Sequence, residues 1–216
     1  QPCSSAASDV YKRQMDKLRN LEISLQDCFK AKCSEKDEFF DLMKTIIKFE
    51  LTIDDFQNLI KSNYQDLEVS RYDTFNDLLN YCKLSANPVG SLVLKIFGDF
   101  NETNLKLSNN ICTGLQLINF IQDINRDSKL GRIYIPLEDL NKFNINENDI
   151  LNNKSSSEMN NLVKMQCERS HKIINNGKSL VKILNGPKKI PISLFIQSGN
   201  LVLSKIKKIN YETVLI

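Results

Sequence analysis

Four polar residues with helical spacing carry the strongest chemical signal in this chain of 216 residues. Asp123 and Asp127 stand four positions apart, and Gln116 and Asn119 precede them in a largely apolar stretch. At about 100° per residue, these side chains share a stripe about 80° wide on one helix face. Two carboxylates one helical turn apart, roughly 5–6 Å, can share a divalent cation. Without a neighbouring His or Cys, their all-oxygen ligand set favours Mg²⁺ over zinc.

The rest of this helix indicates a buried element. Ile111, Leu117, Ile118 and Ile121 occupy the side opposite the polar stripe, which is typical of a helix inside a core. Amides and carboxylates on such a helix need a partner, because unpaired burial is costly. Mg²⁺ commonly bridges carboxylates to phosphate oxygens, and the amides could hydrogen-bond the same phosphate. The alternative is that the aspartate pair lies on an ordinary solvated helix face.

Helices must position this stripe, because apolar residues recur with helical spacing and alternating runs are scarce. Ser34, Thr52 and Thr74 each precede an aspartate by three positions, as helix N-caps do. Asn87-Pro88 should kink or break one helix. The pattern predicts an all-α bundle with a polar connection over residues 141–156 and with helices over 16–31, 35–49, 53–65, 75–98, 104–129, 157–184 and 190–209.

Composition excludes several classes of protein. Hydrophobic residues make up 41% and charged residues 25%, the ordinary balance of a globular protein. A net charge of +3 gives no indication of nucleic-acid binding, which usually needs a concentrated basic face. No apolar run approaches the roughly 20 residues of a membrane-spanning helix.

Cysteine and histidine usage argues against a zinc site and against Ser-His chemistry. The six cysteines show no Cys-x-x-Cys spacing, and His171 is the single histidine. We expect reduced thiols in a cytoplasmic protein, with Cys82, Cys112 and Cys167 acting as small apolar residues.

The first 14 residues differ in composition from the remainder. They are rich in Ser and Ala, whereas the rest is rich in Asn, Lys, Ile and Leu. We expect residues 1–14 to be a non-native segment and residues 15–216 to form a single helical domain.

Three ordered motifs resemble the squalene/phytoene synthase family. They are the Tyr-Cys…Val-Gly segment at 81–90, the second aspartate-rich motif at 115–127, and Gly-Arg-Ile-Tyr-Ile-Pro at 131–136. The sequence Ser-Ala-Asn-Pro-Val-Gly at 85–90 is most similar to that of the bacterial hopanoid branch of the family, the hydroxysqualene synthase type. The resemblance runs from about residue 35 to the C-terminus. It implies the type I isoprenoid synthase fold, a helical bundle with a central cavity.

The resemblance also implies a role for each matching residue. Asp123 and Asp127 would hold Mg²⁺ against the diphosphate of a prenyl substrate. Gln116 and Asn119 would orient that diphosphate. The remaining implied site residues are Tyr81 near the developing cation, Arg132 beside the leaving diphosphate and Tyr134 as a second donor.

Two departures from the family pattern stand out. The family has an earlier aspartate-rich motif facing the second one, and neither Asp54-Asp55 nor Asp37-Glu38 is placed as that motif. The resemblance therefore implies a chain truncated at its N-terminus, which could be inactive by itself. In addition, Gln122 stands where many relatives carry a basic residue.

The expected activity is that of a prenyl transferase of C30 metabolism, acting on farnesyl or presqualene diphosphate to give squalene or hydroxysqualene. Phytoene or dehydrosqualene synthesis is the enzymatic alternative. A non-catalytic homologue acting as a helical assembly factor is the alternative from another class. We expect a cytoplasmic protein with peripheral contact to the inner membrane face, because its substrates are amphiphilic. The sequence leaves the oligomeric state open.

Overall fold

A computed structural model describes residues 3–213 of the chain, with side chains from residue 9 onward. These residues contain helices and no strand, so the predicted all-α fold is confirmed. In chain order the helices are α1 (Cys3–Phe29), α2 (Phe40–Lys48), α3 (Ile53–Glu68), α4 (Phe75–Ser85), α5 (Asn87–Phe97), α6 (Glu102–Gln122), α7 (Ile124–Lys129), α8 (Leu137–Lys142), α9 (Glu147–Leu151), α10 (Ser157–Gly177), α11 (Leu180–Ile183) and α12 (Lys189–Lys208). A 3₁₀ turn, Gly186–Lys188, precedes α12.

The chain divides after Glu68 into two compact units. The first unit contains α1–α3, in which α1 contacts both α2 and α3 around buried residues such as Leu25, Met43 and Ile60. The second unit starts at Val69 and contains α4–α12. All seven site residues predicted from the sequence belong to this second unit.

Helix α6 lies at the centre of the second unit. It packs most extensively against α10, and it also contacts α4, α5 and α12. Glycines let α6 and α10 approach closely. A Cβ added to Gly114 would lie 3.0 Å from the backbone nitrogen of Ile174 and 3.2 Å from the carbonyl oxygen of Ser170. Conversely, a Cβ added to Gly177 of α10 would lie 3.1 Å from the backbone nitrogen of Ile111 of α6.

Several predicted helix boundaries are confirmed. Thr74 and Asp77 form a reciprocal capping box at the start of α4. The predicted helix 75–98 breaks at Ala86, immediately before Pro88, which fits the first turn of α5 because that turn needs no amide donor. Gly98 then ends α5 in the left-handed conformation, with φ of 70°.

Other boundaries differ from the predicted ones. The helix expected over 35–49 begins only at Phe40, because the Ser34–Asp37 hydrogen bonds close a turn rather than cap the helix. The polar connection expected over 141–156 contains α9, which Asn146 and Asp149 cap reciprocally. The helix expected over 104–129 is interrupted at Asp123, whose backbone has φ of −97° and ψ of 11°.

The N-terminal helix α1 starts before the expected residue 16 and includes most of the segment 1–14. Whether that segment is native to the protein stays a prediction. The cysteines at 28, 33, 82, 112 and 167 are free thiols. Burial raises the pKa of Cys82 to about 12, in keeping with a packing role. No helix within residues 3–213 is long and apolar enough to cross a membrane.

We expect Gly114→Ala to lower the free energy of unfolding by about 2 kcal/mol. Overpacking costs about 1–3 kcal/mol, and the better helix propensity of Ala returns at most about 1 kcal/mol. Gly199→Ala in α12 is the matched control, because its Cβ would meet only side-chain ends that can move, such as that of Leu115. Urea unfolding measures both variants, and equal stabilities would contradict the close α6–α10 packing.

Candidate active site

The two aspartates of the polar stripe lie one helical turn apart, although the helix is interrupted between them. The backbone N–H of Asp123 donates to the carbonyl oxygen of Asn119 at 2.9 Å, and that of Asp127 donates to the carbonyl oxygen of Asp123 at 2.8 Å. The (i, i+4) hydrogen-bond pattern therefore continues from α6 into α7. Asp123 is 27% exposed and Asp127 is 13% exposed, so both carboxylates lie at the edge of the core.

A guanidinium group lies between these two carboxylates. Nη2 of Arg126 is 2.6 Å from Oδ2 of Asp123 and 3.5 Å from Oδ1 of Asp127. Burial raises the pKa of Asp127; the charge of Asp123 raises it further, whereas Arg126 and Arg132 oppose the shift. A single cation thus already bridges the pair, at the place where the sequence predicts a metal ion.

The donor set fits Mg²⁺ only in part. Among the described residues, no group of three or more His, Cys, Asp or Glu side chains is placed to hold a metal. Two carboxylates are nevertheless enough for an ion that keeps several waters and takes further oxygen ligands from a phosphate. The bridging position of Arg126 indicates that the pair accommodates a shared cation. Asp123 and Asp127 are thus placed where they could share one divalent cation with oxygen ligands from outside the chain.

The turn after α7 brings Arg132 back towards Asp127. The backbone N–H of Arg132 donates to the carbonyl oxygen of Asp127 at 2.9 Å, and Gly131 adopts φ of 77°, which favours glycine. Asp127, Arg132 and Tyr134 line one small cavity of about 10 Å³, together with Phe120, Ile124, Ile133, Ile135 and Ile150. This volume is about that of one water probe, so the groups are close neighbours.

Residues 69–74 hold this segment in place through backbone hydrogen bonds. The N–H groups of Ile133 and Leu137 donate to the carbonyl oxygens of Ser70 and Tyr72 at 3.1 and 2.9 Å. Arg71 adds two bonds, from Nη1 to the carbonyl oxygen of Gly131 at 2.7 Å and from Nε to Glu147 at 2.8 Å. The position of Arg132 is thus fixed on both sides by backbone contacts.

A buried ion pair anchors the following helix, α8, to α10. Both carboxylate oxygens of Asp139 accept from Arg169, at 2.6 and 2.9 Å, and Gln166 donates to the same carboxylate at 2.8 Å. Arg169 also lies over the ring of Phe75, 4.1 Å from its centroid. This bidentate geometry is the strong form of an arginine–carboxylate contact, so α8 supplies a fixed end for the 131–136 segment.

Four aromatic rings pack beside the aspartate pair. Tyr134 stacks on Phe120 with ring centroids 4.1 Å apart and planes 10° apart. The ring centroid of Tyr81 lies 5.9 Å from that of Tyr134 and 5.6 Å from that of Tyr72. Tyr81 is only 4% exposed. The cluster joins α4 to the C-terminal end of α6. We refer to Tyr72, Tyr81, Phe120 and Tyr134 as the aromatic cluster.

The structure thus brings together Asp123, Asp127, Arg132, Tyr134 and Tyr81. The two predicted amides lie earlier on α6, where Gln116 is partly buried and Asn119 is exposed. The roles of all seven residues stay predictions.

Sequence reasoning missed Arg126 and Tyr72. The (i, i+3) spacing of Arg126 from Asp123 could have indicated its ion pair. The position of Tyr72, by contrast, depends on tertiary contacts. His171 is exposed and takes no part in the site.

Comparison with known proteins places the chain among related sequences. Residues 4–215 match the family model described as squalene/phytoene synthase. The phytoene synthase of Arthrospira platensis is 30% identical over 185 residues, which cover 79% of this chain and 60% of that protein. Phytoene synthase 1 of Arabidopsis thaliana is 25% identical over 203 residues, covering 90% and 47%. The chain therefore spans about half to three fifths of the length of these relatives.

Solved structures show the same fold. The squalene synthase HpnC from Alicyclobacillus acidocaldarius superimposes with a TM-score of 0.86 and 33% identity, covering 91% of this chain and 74% of that one. A dehydrosqualene synthase superimposes with a TM-score of 0.81 at 18% identity, which is a likeness of fold alone.

We expect Arg126→Gln to raise the affinity of the aspartate pair for Mg²⁺ a few-fold, because the arginine must leave its bridging position before a metal binds. The gain is small, since an exposed ion pair is worth at most about 1 kcal/mol. Calorimetric titration of Mg²⁺ in the presence of inorganic diphosphate measures it. Lys129→Gln, which removes an exposed charge nearby, is the control. If the Arg126→Gln and Lys129→Gln variants bind Mg²⁺ with equal affinity, Arg126 does not compete with Mg²⁺ for the aspartate pair.

Proposed function

Because the chain belongs to the squalene/phytoene synthase family, we propose that it is a Mg²⁺-dependent prenyl-diphosphate synthase of C30 isoprenoid biosynthesis. In this proposal it converts farnesyl or presqualene diphosphate to squalene or hydroxysqualene and releases diphosphate. One observation carries the proposal: Asp123 and Asp127 lie one turn apart around a shared cation, beside Arg132 and the aromatic cluster.

Oxygen ligands and donors on one side of α6 and α7 would bind the diphosphate. Asp123 and Asp127 hold the metal, and Gln116 and Asn119, earlier on the same helix, orient the diphosphate oxygens or metal-bound water. When bound, Mg²⁺ neutralises the charge that builds on the diphosphate as the carbon–oxygen bond breaks.

Arg132 would stabilise the departing diphosphate. It lies beside Asp127 in the same small cavity, and hydrogen bonds hold its backbone in place. A positive group fixed where negative charge develops stabilises the transition state more than the bound substrate. Tyr134 lies two residues after Arg132 and lines the same cavity, so it is placed as a second donor to the same oxygens.

The aromatic cluster supports the cation that remains after diphosphate leaves. Ring faces attract positive charge, and a cation over such a face gains about 0.5–2 kcal/mol. Tyr81 and Phe120 are buried, so this side of the site also excludes water from the reactive carbon. Controlled capture by one water gives hydroxysqualene, whereas squalene requires a hydride donor.

An apolar cavity between α5, α6, α11 and α12 would take part of the prenyl chain. Its volume is about 140 Å³, and its walls include Val89, Val93, Ile111, Leu115 and Phe195. Typical ligand pockets measure roughly 300–1,000 Å³, so this cavity accommodates a section of the chain.

The choice of a C30 product is supported by the similarity to the squalene synthase HpnC, at 33% identity over 91% of the chain. Phytoene synthesis from geranylgeranyl diphosphate is the second candidate, because the curated relatives at 25–30% identity carry that name. The two reactions use the same metal and diphosphate chemistry. They differ in the length of chain that the cavity accepts and in how the final cation is quenched, which for phytoene is the loss of a proton.

In the full-length protein encoded by the native gene, we expect Asp123→Asn and Asp127→Asn to abolish Mg²⁺-dependent diphosphate release. Each substitution removes a charged metal ligand, while the helical circular dichroism spectrum should be unchanged. Asp41→Asn, at an exposed site in α2, is the charge-matched control and should retain activity. Wild-type turnover by either variant would refute the metal assignment. A wild-type protein without turnover on any prenyl diphosphate would favour a non-catalytic assembly factor.

Substrate choice separates the two candidate products. With Mg²⁺, we expect the full-length protein to release diphosphate from farnesyl or presqualene diphosphate at least tenfold faster than from geranylgeranyl diphosphate. Extraction and mass analysis of the hydrocarbon identify the product. Preferred use of geranylgeranyl diphosphate would contradict the C30 assignment and support phytoene synthesis.

A further inference from the structure

Charge is distributed very unevenly along this chain. Residues 169–211 contain nine Lys and Arg residues and no Asp or Glu. Because the whole chain has a net charge of +3, the remaining residues together carry −6. The second unit therefore ends in a strongly basic stretch that includes α11 and α12.

Most of this basic charge lies at the surface. Arg169 pairs with the buried Asp139, and Lys188 pairs with Asp99 at 2.8 Å. The other seven are exposed lysines, at positions 172, 178, 182, 189, 205, 207 and 208. An exposed set of one sign attracts a surface of the opposite sign.

Helix α12 also exposes large apolar side chains on the side away from the core. Its buried face includes Ile196, Gly199 and Leu203. On the opposite face, Ile190 is 56% exposed, and Leu194 and Leu201 are each 58% exposed. At 100° per residue these three side chains lie within about 40° of one another. Exposed apolar residues grouped in this way mark a binding surface more often than single ones do.

Lysines continue the same face towards the C-terminal end of the helix. Lys205 and Lys208 lie within about 60° of Ile190 around the helix axis. We define the α12 face as Ile190, Leu194, Leu201, Lys205 and Lys208. Ile190 and Leu194 of this face also line a shallow groove of about 300 Å³ between α12 and Val181 of α11.

We propose that the α12 face docks on a bilayer surface that contains anionic lipids. An amphipathic helix with apolar residues flanked by lysines lies in the plane of such an interface. Its apolar side chains enter the acyl boundary, while the lysine stems extend so that the ammonium groups reach the headgroups. A second copy of the chain fits less well, because residues 169–211 contain no Asp or Glu that could pair with the lysines of a partner's α12 face.

Vesicle co-sedimentation of the 216-residue chain tests this proposal independently of any enzymatic activity. We expect binding to phosphatidylglycerol–phosphatidylcholine vesicles and much weaker binding to pure phosphatidylcholine vesicles. Added salt should weaken the binding, because it screens exposed charges. Equal binding to both vesicle types, or no binding to either, would overturn the proposal.

Two pairs of variants separate the electrostatic and apolar contributions. The double variant Lys205→Gln with Lys208→Gln should lose about 25-fold in affinity, at about fivefold per lysine near the surface. The matched double variant Lys106→Gln with Lys142→Gln, at two other exposed lysines, should bind like wild type. Leu194→Ser with Leu201→Ser should weaken binding at least tenfold, unlike Leu130→Ser with Leu151→Ser, which are also exposed.

Circular dichroism and analytical ultracentrifugation complete the experiment. All variants change exposed positions and should keep the wild-type helical spectrum. Equal losses in the α12-face variants and their matched controls would overturn the proposal. So would a wild-type dimer that only Leu194→Ser with Leu201→Ser dissociates, since the face would then be an interface between copies.

Discussion

The close approach of α6 and α10 is the constraint on which the second unit depends. Gly114 faces the backbone of α10, and Gly177 faces the backbone of α6, so neither position has room for a side chain. This contact buries α6 among five neighbouring helices and fixes where its C-terminal end emerges. Asp123 and Asp127 follow that end directly, so the position of the carboxylate pair is set by helix packing rather than by a flexible loop.

The chemistry at this end follows from placing charge beside buried aromatic rings. Two carboxylates at the edge of a core need a cation, and Arg126 supplies one within this chain. Phe120 of α6 stacks on Tyr134, and Tyr134 belongs to the same segment as Arg132. One helix end thus combines two neighbouring carboxylates, the guanidinium of Arg132 and a buried aromatic surface. In the proposed reaction these groups would assist the departure of diphosphate and shield a carbocation from water.

Local rules were sufficient to predict some of this arrangement. The (i, i+4) spacing predicts the neighbouring aspartates, the Thr74–Asp77 pattern predicts a capping box, and Pro88 predicts the break between α4 and α5. The remaining features depend on contacts distant in sequence. Tyr134 stacks on Phe120 from a segment whose backbone hydrogen-bonds to residues 70–73, which are distant in sequence. No local spacing encodes those bonds, and no local signal marks the interruption at Asp123 within the predicted helix 104–129.

The proposed function requires that Asp123 and Asp127 together hold a divalent ion against diphosphate. A crystal structure with Mn²⁺ in place of Mg²⁺ and with inorganic diphosphate tests it most directly, because anomalous scattering locates the manganese. We predict a manganese peak bound by both carboxylates, with Arg126 displaced from its bridging position. If Arg126 still bridges the two aspartates and manganese is absent or bound elsewhere, the two carboxylates are not the metal ligands.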